Sequence, residues 1–399
     1  MSEPDITIIN DQNELIHFCG ALKTSDVIYV DTEFHRESTY WPTLCLIQAA
    51  NDSVEAIIDP QIEGIDLTPF LDLLMDPTIT KVFHAARQDM EIFYRLTGKP
   101  PSPIFDTQIG AMAIGLGDSI SFDNLVSQLT GQRIDKSSQF TDWTRRPLSA
   151  KQLQYALGDV TFLRNAYKRM AEKLTSKDRW SWIEDDHEAM CDPALYEADP
   201  ENAWKRLKVR RNRKDYLAVL KAVAVWREQL AQDLNRPRNR ILKDDALQEI
   251  ADQRPRDANA IDRLRSVPKG FSGSRHGPSL LAAINHALDN VDEVAPEIEK
   301  PKHRGPSPAG ASDLLRVLLK QICDDARVTP RLIANSADLE RIAAGEGNET
   351  NVMKGWRFEL FGKRAEDLLN GRMAITFNQG NIQMFDVSKT SEGASDPGL

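Results

Sequence analysis

Val27-Ile28-Tyr29-Val30-Asp31-Thr32-Glu33-Phe34 is the stretch on which the reading of this chain turns. It begins as an apolar, β-branched run, the mark of a buried strand. Alternate side chains on a strand leave the same face, so Asp31 and Glu33 stand side by side. Two neighbouring carboxylates at the end of a buried strand repel unless a cation or a shared proton compensates them. A hard divalent ion does this well, and Mg²⁺ accepts oxygen ligands while keeping waters for a substrate phosphate. An isolated D-x-E is also how an ordinary strand ends in two solvated acids. Further carboxylates have to arrive at suitable places before the pair means more.

Working outward, residues 6–9 form a short strand and 12–23 an amphipathic helix. Strands at 44–50 and 54–59 face each other across the Asn51-Asp52-Ser53 turn as a hairpin. A helix near 67–75 leads to a strand at 81–84, and helical patterns follow at 86–97, 107–116, 121–130 and 149–174. Strands first, with helices between and after them, predict a mixed-sheet α/β domain. Beyond Cys191 the texture changes. Asp192-Pro193 and Asp199-Pro200 mark a linker, and helices are expected at 213–232, 244–252, 257–265 and 276–290. A second linker, rich in Pro and Gly over 296–310, precedes helices at 311–326, 329–334, 336–343 and 356–369. The last dozen residues are expected to fray. The domains are therefore drawn as 1–195, 205–292 and 308–385.

A chain of 399 residues has room for two or three domains, and 41% hydrophobic residues is ordinary for a globular protein. No apolar run approaches the ~18 residues of a membrane span, and the start Met1-Ser2-Glu3-Pro4-Asp5 lacks the apolar core of a signal peptide. Cys19, Cys45, Cys191 and Cys323 are widely spaced and form no C-x-x-C. That argues against a zinc ribbon or disulfide framework and predicts a soluble, cytoplasmic protein. The net charge of −10 divides unevenly: residues 1–200 carry −15 and 201–399 carry +5. Within the second half, 204–275 carries +10. An acidic half beside a basic stretch suits a protein that brings a polyanion to metal ions, and equally a solvated helical face.

Three residues from two further segments, Asp89, Tyr155 and Asp159, join Asp31 and Glu33. His84-Ala85-Ala86-Arg87-Gln88-Asp89 runs from a strand into a helix, with Asp89 in the first turn, where the helix dipole also favours an acid. Tyr155 and Asp159 sit at i and i+4 of the long helix, so phenol and carboxylate share a face; a surface hydrogen bond would use the same spacing. Gln48 and Asp106 also draw notice, although Asp106-Thr107 opens a helix and reads more simply as an N-cap.

Order and residue types together resemble the DEDD exonuclease superfamily in its tyrosine-bearing branch. Asp31 to Glu37 with Thr39-Tyr40-Trp41-Pro42 and Leu44-Cys45-Leu46-Ile47-Gln48 is similar to the first exonuclease motif of the ribonuclease D family. His84 to Asp89 resembles the second motif. Asp142-Trp143-Thr144-Arg145-Arg146-Pro147-Leu148 with Gln154 to Val160 resembles the third. Tyr216 to Leu288 resembles the HRDC helical domain shared by RecQ-type helicases and ribonuclease D, and 312–371 resembles a divergent second copy.

The resemblance implies a ribonuclease H-like exonuclease domain, its mixed sheet flanked by helices, followed by two all-α HRDC-type domains. It implies a 3′–5′ exoribonuclease with two divalent ions, Mg²⁺ or Mn²⁺, held by Asp31, Glu33, Asp89 and Asp159. Tyr155 would orient the attacking water or accept its proton; a free phenol, with a pKa near ~10, is a poor base. Phe34 and Trp41 are candidates to stack on terminal bases, and His84, Arg145 and Arg146 to contact phosphates. Arg210, Arg211, Arg213, Lys214, Arg236, Arg238 and Arg240 are candidates to grip the body of a folded RNA. The implied substrates are tRNA precursors and other small structured RNAs, and the expected state is a monomer. Two other readings remain: the same chemistry on DNA, and a non-catalytic RNA-binding adaptor.

Overall fold

A computed structural model gives the fold and describes residues 6–139, 141–298 and 309–387. A six-stranded mixed sheet is built from β1 (Ile8–Ile9), β2 (Val27–His35), β3 (Thr43–Ala50), β4 (Glu55–Ile58), β5 (Thr80–Phe83) and β6 (Ile104–Asp106), in the order β1-β4-β3-β2-β5-β6. β2 and β3 pair antiparallel, as do β3 and β4, while β2, β5 and β6 run parallel. The helices of this part are α1 (Gln12–Leu22), α2 (Thr68–Met75), α3 (Arg87–Thr97), α4 (Thr107–Ala113), α5 (Phe122–Thr130), α6 (Ala150–Ser176) and α7 (Glu184–Met190).

The alternation of β2 divides them into layers. Ile28 and Val30 are buried with residues of α1, α2 and α3 on one face. Tyr29 is buried on the other face with α4, α5 and α6. Asp31 and Glu33 continue the Tyr29 face, beneath α6, and Thr32 continues the α3 face. α6 begins with a capping box between Ser149 and Gln152, and its Ala156, Val160 and Leu163 pack onto the sheet.

The first helical unit contains Lys214–Asp233, Asp244–Gln253, Ala258–Asp262 and Gly277–Asp289 around the fully buried Tyr216, whose hydroxyl lies 2.5 Å from Gln248 Oε1. The second contains Ala309–Ala326, Pro330–Ile333, Ser336–Ala343 and a segment interrupted by a π turn at Phe358–Gly362.

Four features depart from the sequence reading. β6 has no signal in the sequence, because three residues behind Pro100-Pro101-Ser102-Pro103 carry no period. The helix expected at 257–265 ends at Asp262. The Asp-Pro pairs at 192–193 and 199–200 are caps of short 3₁₀ turns: each Asp accepts a backbone N–H two residues on, and Pro fills the first position. The second helical unit also ends in a β-hairpin, β7 (Met373–Asn378) and β8 (Asn381–Asp386), beyond the all-helical expectation. Gln379 and Gly380, both at positive φ, make its two-residue turn. Most of the second linker and the terminal dozen residues lie outside the described residues. Among the described residues, no helix is long and apolar enough to cross a membrane.

Both helical units are tied to the α/β part. Tyr40, in the loop after β2, hydrogen-bonds the buried Glu228 through its hydroxyl, which also receives Arg238 Nη2 at 2.7 Å. Asn235 Oδ1 accepts from the backbone N–H groups of Tyr40 and Trp41 at 3.1 and 3.0 Å. On the opposite side Trp182 and Trp356 stack at 4.3 Å with planes 2° apart. Arg179 donates to the carbonyls of Ala113 and Ala326 at 2.7 and 2.6 Å, and Arg357 pairs with Asp186 at 2.6 Å. Gly115, at φ +81°, lies where a Cβ would sit 2.5 Å from the Arg327 carbonyl.

Candidate active site

β2 carries Asp31 and Glu33 to the edge of a cleft of about 490 Å³ whose walls include Phe34, His84, Phe122, Trp143, Tyr155 and Asp159. α6, packed across the same sheet face, lowers Asp159 toward the pair. Carboxylate oxygens of Asp31, Glu33 and Asp159 all lie within 4.8 Å of one another. Tyr155, one turn before Asp159, hydrogen-bonds that carboxylate and packs against Trp143 with ring centroids 6.2 Å apart.

Asp89 approaches from the other face and falls outside this three-acid group. Its Oδ1 accepts from Thr32 Oγ1 at 2.5 Å, so the residue between the two β2 acids holds the fourth. The junction that aims Asp89 is held by Asp106. Its carboxylate accepts from the backbone N–H groups of Ala85 and Ala86, each at 2.9 Å, as well as capping α4 through Gln108 N. Ala85 adopts φ +55°, a conformation that a non-glycine residue keeps only when its surroundings enforce it.

The electrostatics follow from this crowding. Burial, then the charges of Asp159, Asp89 and Glu33, hold the Asp31 carboxyl well above its ordinary range. Burial and the same two aspartates push Glu33 up to about 9. Burial raises Asp159 to about 8, against the opposing hydrogen bond from Tyr155, and raises Asp89 to about 7, against that from Thr32. The Tyr155 phenol is driven upward by burial and by Asp159, Glu33 and Asp31, so it keeps its proton. Carboxyls kept from ionising by burial first, and at Asp31 and Glu33 by neighbouring acids as well, are a site that a divalent cation would relieve, and an all-oxygen donor set fits a hard ion.

The other candidates separate. Phe34 and His84 line the cleft. Burial lowers His84 to about 4, and its Nδ1 lies 2.9 Å from Thr107 Oγ1, beside the Phe122 ring. Trp41 lies away from the cleft, under the Arg95 guanidinium at 3.3 Å. Arg145 is exposed and pairs with Asp142 at 3.0 Å. Arg146 turns inward onto Asp59 and three backbone carbonyls. Arg238 is spent on Glu228 and Tyr40, whereas Arg236 and Arg240 are exposed. Arg210, Arg211, Arg213 and Lys214 all have acidic partners, at 3.3, 2.5, 2.5 and 2.6 Å. Thr32 and the Asp106 clamp escaped the sequence reading. The hydroxyl next to two acids was the available signal for Thr32; the clamp has none, because its partners lie about twenty residues upstream.

A carboxylate-lined cleft at the edge of a mixed sheet, closed by a tyrosine-bearing helix, defines a nuclease site of the 3′–5′ exonuclease class. A family model described as a 3′-5′ exonuclease matches residues 6–175, and an HRDC domain model matches 216–284. Ribonuclease D of Sphingobium indicum is 44% identical over 94% of this chain and 98% of its own. That of Nitrobacter hamburgensis is 43% identical over the same shares. The crystal structure of Escherichia coli RNase D, an exoribonuclease involved in structured RNA processing, superposes with a TM-score of 0.80. It is 27% identical and matches over 92% of this chain and 99% of that one. The chain belongs to the ribonuclease D family, and its activity is that of a 3′–5′ exoribonuclease.

Proposed function

We propose that Asp31, Glu33, Asp89 and Asp159 hold two divalent ions, Mg²⁺ or Mn²⁺, and that RNA is shortened from its 3′ end to release 5′-mononucleotides. The observation that carries this reading is the approach of three carboxylates to within 4.8 Å beneath a cleft that also presents Tyr155. Bound there, two such ions supply Lewis acidity toward the attacking water and neutralise charge on the leaving 3′-oxygen.

The chain's own groups do the rest. Asp31, Glu33 and Asp159 would hold the ions from the Tyr155 side of the sheet, and Asp89 from the other. Tyr155, one turn before Asp159, acts on that carboxylate as a hydrogen-bond donor, which leaves the phenol oxygen to accept from a water and to orient it. Phe34, on the cleft wall, is positioned to stack on the terminal base. Trp143 supports Tyr155 from behind. Of the candidate cations, Arg236 and Arg240 are exposed and suited to meet the RNA backbone, and the exposed Arg145 could do so in exchange for Asp142. tRNA precursors and other small structured RNAs, met by a monomer in the cytoplasm, are the substrates this arrangement suits. The helical unit latched at Tyr40 stands beside the loop that leaves the acidic strand.

The test is a 5′-labelled RNA with and without Mn²⁺, with the Asp31→Ala variant in parallel. The expected result is a ladder shortening from the 3′ end in the wild type alone, abolished by EDTA. Equal activity in the variant, or indifference to EDTA, would refute it.

A further inference from the structure

Gln48 takes no part in the chemistry proposed for the cleft, yet it lies beside it. Strand register sets Gln48 of β3 directly opposite Asp31, with Ile57 of β4 on its other side. Directly opposed residues on adjacent antiparallel strands share a face, with Cβ atoms roughly 4.5–5.5 Å apart. The amide therefore stands on the Asp31 face, under α6, where the other neighbours in that layer are apolar: Leu46, Ala50, Ile57, Ala156 and Val160. Gln48 is 0% exposed, and neither its Nε2 nor its Oε1 makes a hydrogen bond to any described residue.

A buried amide without partners costs free energy that a leucine or methionine of similar size would not. The side chain makes no hydrogen bond that would hold one described element to another. The register sets the Asp31 carboxylate directly opposite it, with Tyr29 and Glu33 as its diagonal neighbours on β2.

We propose that Gln48 is a positioning residue for Asp31: its unpartnered Nε2 is the donor placed to turn onto the Asp31 carboxylate, a hydrogen bond not made in the structure, and so to fix how that carboxylate would meet a cation. Groups that hold a ligand in this way commonly set metal affinity by about 10–100-fold. The inference rests on the reading of Asp31 as a cation ligand, and the experiment separates the two.

Mn²⁺ is titrated calorimetrically into full-length wild type, Gln48→Met, Gln48→Leu, Asp31→Asn and the Asp31→Asn/Gln48→Met double variant, with metal-free thermal unfolding of each. The expected result is Mn²⁺ affinity about 10–100-fold weaker in Gln48→Met, with a metal-free Tm at or above that of the wild type. Adding Gln48→Met to Asp31→Asn should then weaken binding no further, because the two act through one carboxylate. Wild-type Mn²⁺ affinity in folded Gln48→Met or Gln48→Leu overturns the proposal, as does a full additive loss in the double variant. If Gln48→Met does not fold, Gln48→Leu carries the same comparison. Should Asp31→Asn bind Mn²⁺ as tightly as the wild type, the cation reading of Asp31 fails first and takes the proposal with it.

Discussion

Replacing Arg146 by methionine should make the protein easier to unfold while leaving its hold on RNA unchanged. The guanidinium reaches both oxygens of Asp59 at 2.5 and 2.8 Å, the Cys45 carbonyl at 2.9 Å, and the Trp143 and Arg145 carbonyls at 2.8 Å. It thereby ties the 142–147 segment to β3 and to the end of β4. The Asp59 side chain is 10% exposed and that of Arg146 27%. Breaking a fully buried ion pair at one end costs about 3–5 kcal/mol, and partial hydration here lowers that to about 2–4 kcal/mol. Urea unfolding followed by tryptophan fluorescence should show that loss in Arg146→Met. The Arg146→Met/Asp59→Asn double variant should lose less than the sum, since no unpaired carboxylate is left behind. RNA affinity measured in EDTA across a salt series should keep its wild-type slope. A phosphate contact predicts the reverse: an unchanged urea midpoint and a salt slope shallower by about 0.7. That outcome would refute the structural role.

Other expectations concern the acids, the phenol and the latch. Asp31, Glu33 and Asp159 are raised above the ~4 of an unfolded carboxyl, so the folded chain binds more protons than the unfolded one above that value. Metal-free stability should therefore fall as pH rises from about 5 to about 9, less steeply in Asp159→Asn, and Mn²⁺ should restore it; a Tm that climbs over that range in EDTA sinks the reasoning. Tyr155→Phe should lower kcat by about 10²-fold or more, a larger loss than in Mn²⁺ affinity, since the phenol is assigned to the water and reaches the ions only through Asp159. A matching loss of metal binding would move Tyr155 among the ligands. Tyr40→Phe removes a hydroxyl shared by Glu228, Arg238 and Gln232, and should cost about 1.5–3 kcal/mol of stability. Its activity should fall more on long structured RNA than on a trinucleotide, compared as kcat/KM; an equal fall on both would separate the latch from substrate handling.

Local chemistry made much of this legible. A β-branched run ending in D-x-E announces its strand, and the spacing of Tyr155 and Asp159 announces a shared helix face. What stayed hidden depends on partners distant in sequence. Nothing near Arg238 says that its guanidinium is taken up by Glu228 and Tyr40, and nothing near Arg146 points to Asp59. A count of basic residues therefore overstated the surface available to RNA, because ion pairing neutralises much of it. β6 escaped for a different reason, since three residues are too few to display a period. The β7–β8 hairpin did alternate, with a Gln379-Gly380 turn, but the helical pattern before it drew the reading past that signal.

The stacked Trp182 and Trp356 bear on how this enzyme can be cut down. Leu332, from the far end of the chain, is buried in the same cluster as α4, α5 and α6, so the catalytic core borrows part of its insulation from the C-terminal unit. A truncation at the Pro-rich linker would uncover the Trp182 indole and leave the Arg179 guanidinium and the Asp185–Asp186 acids without their partners from the C-terminal unit. Minimal versions of this nuclease are better made by shortening the linker than by deleting the C-terminal helices.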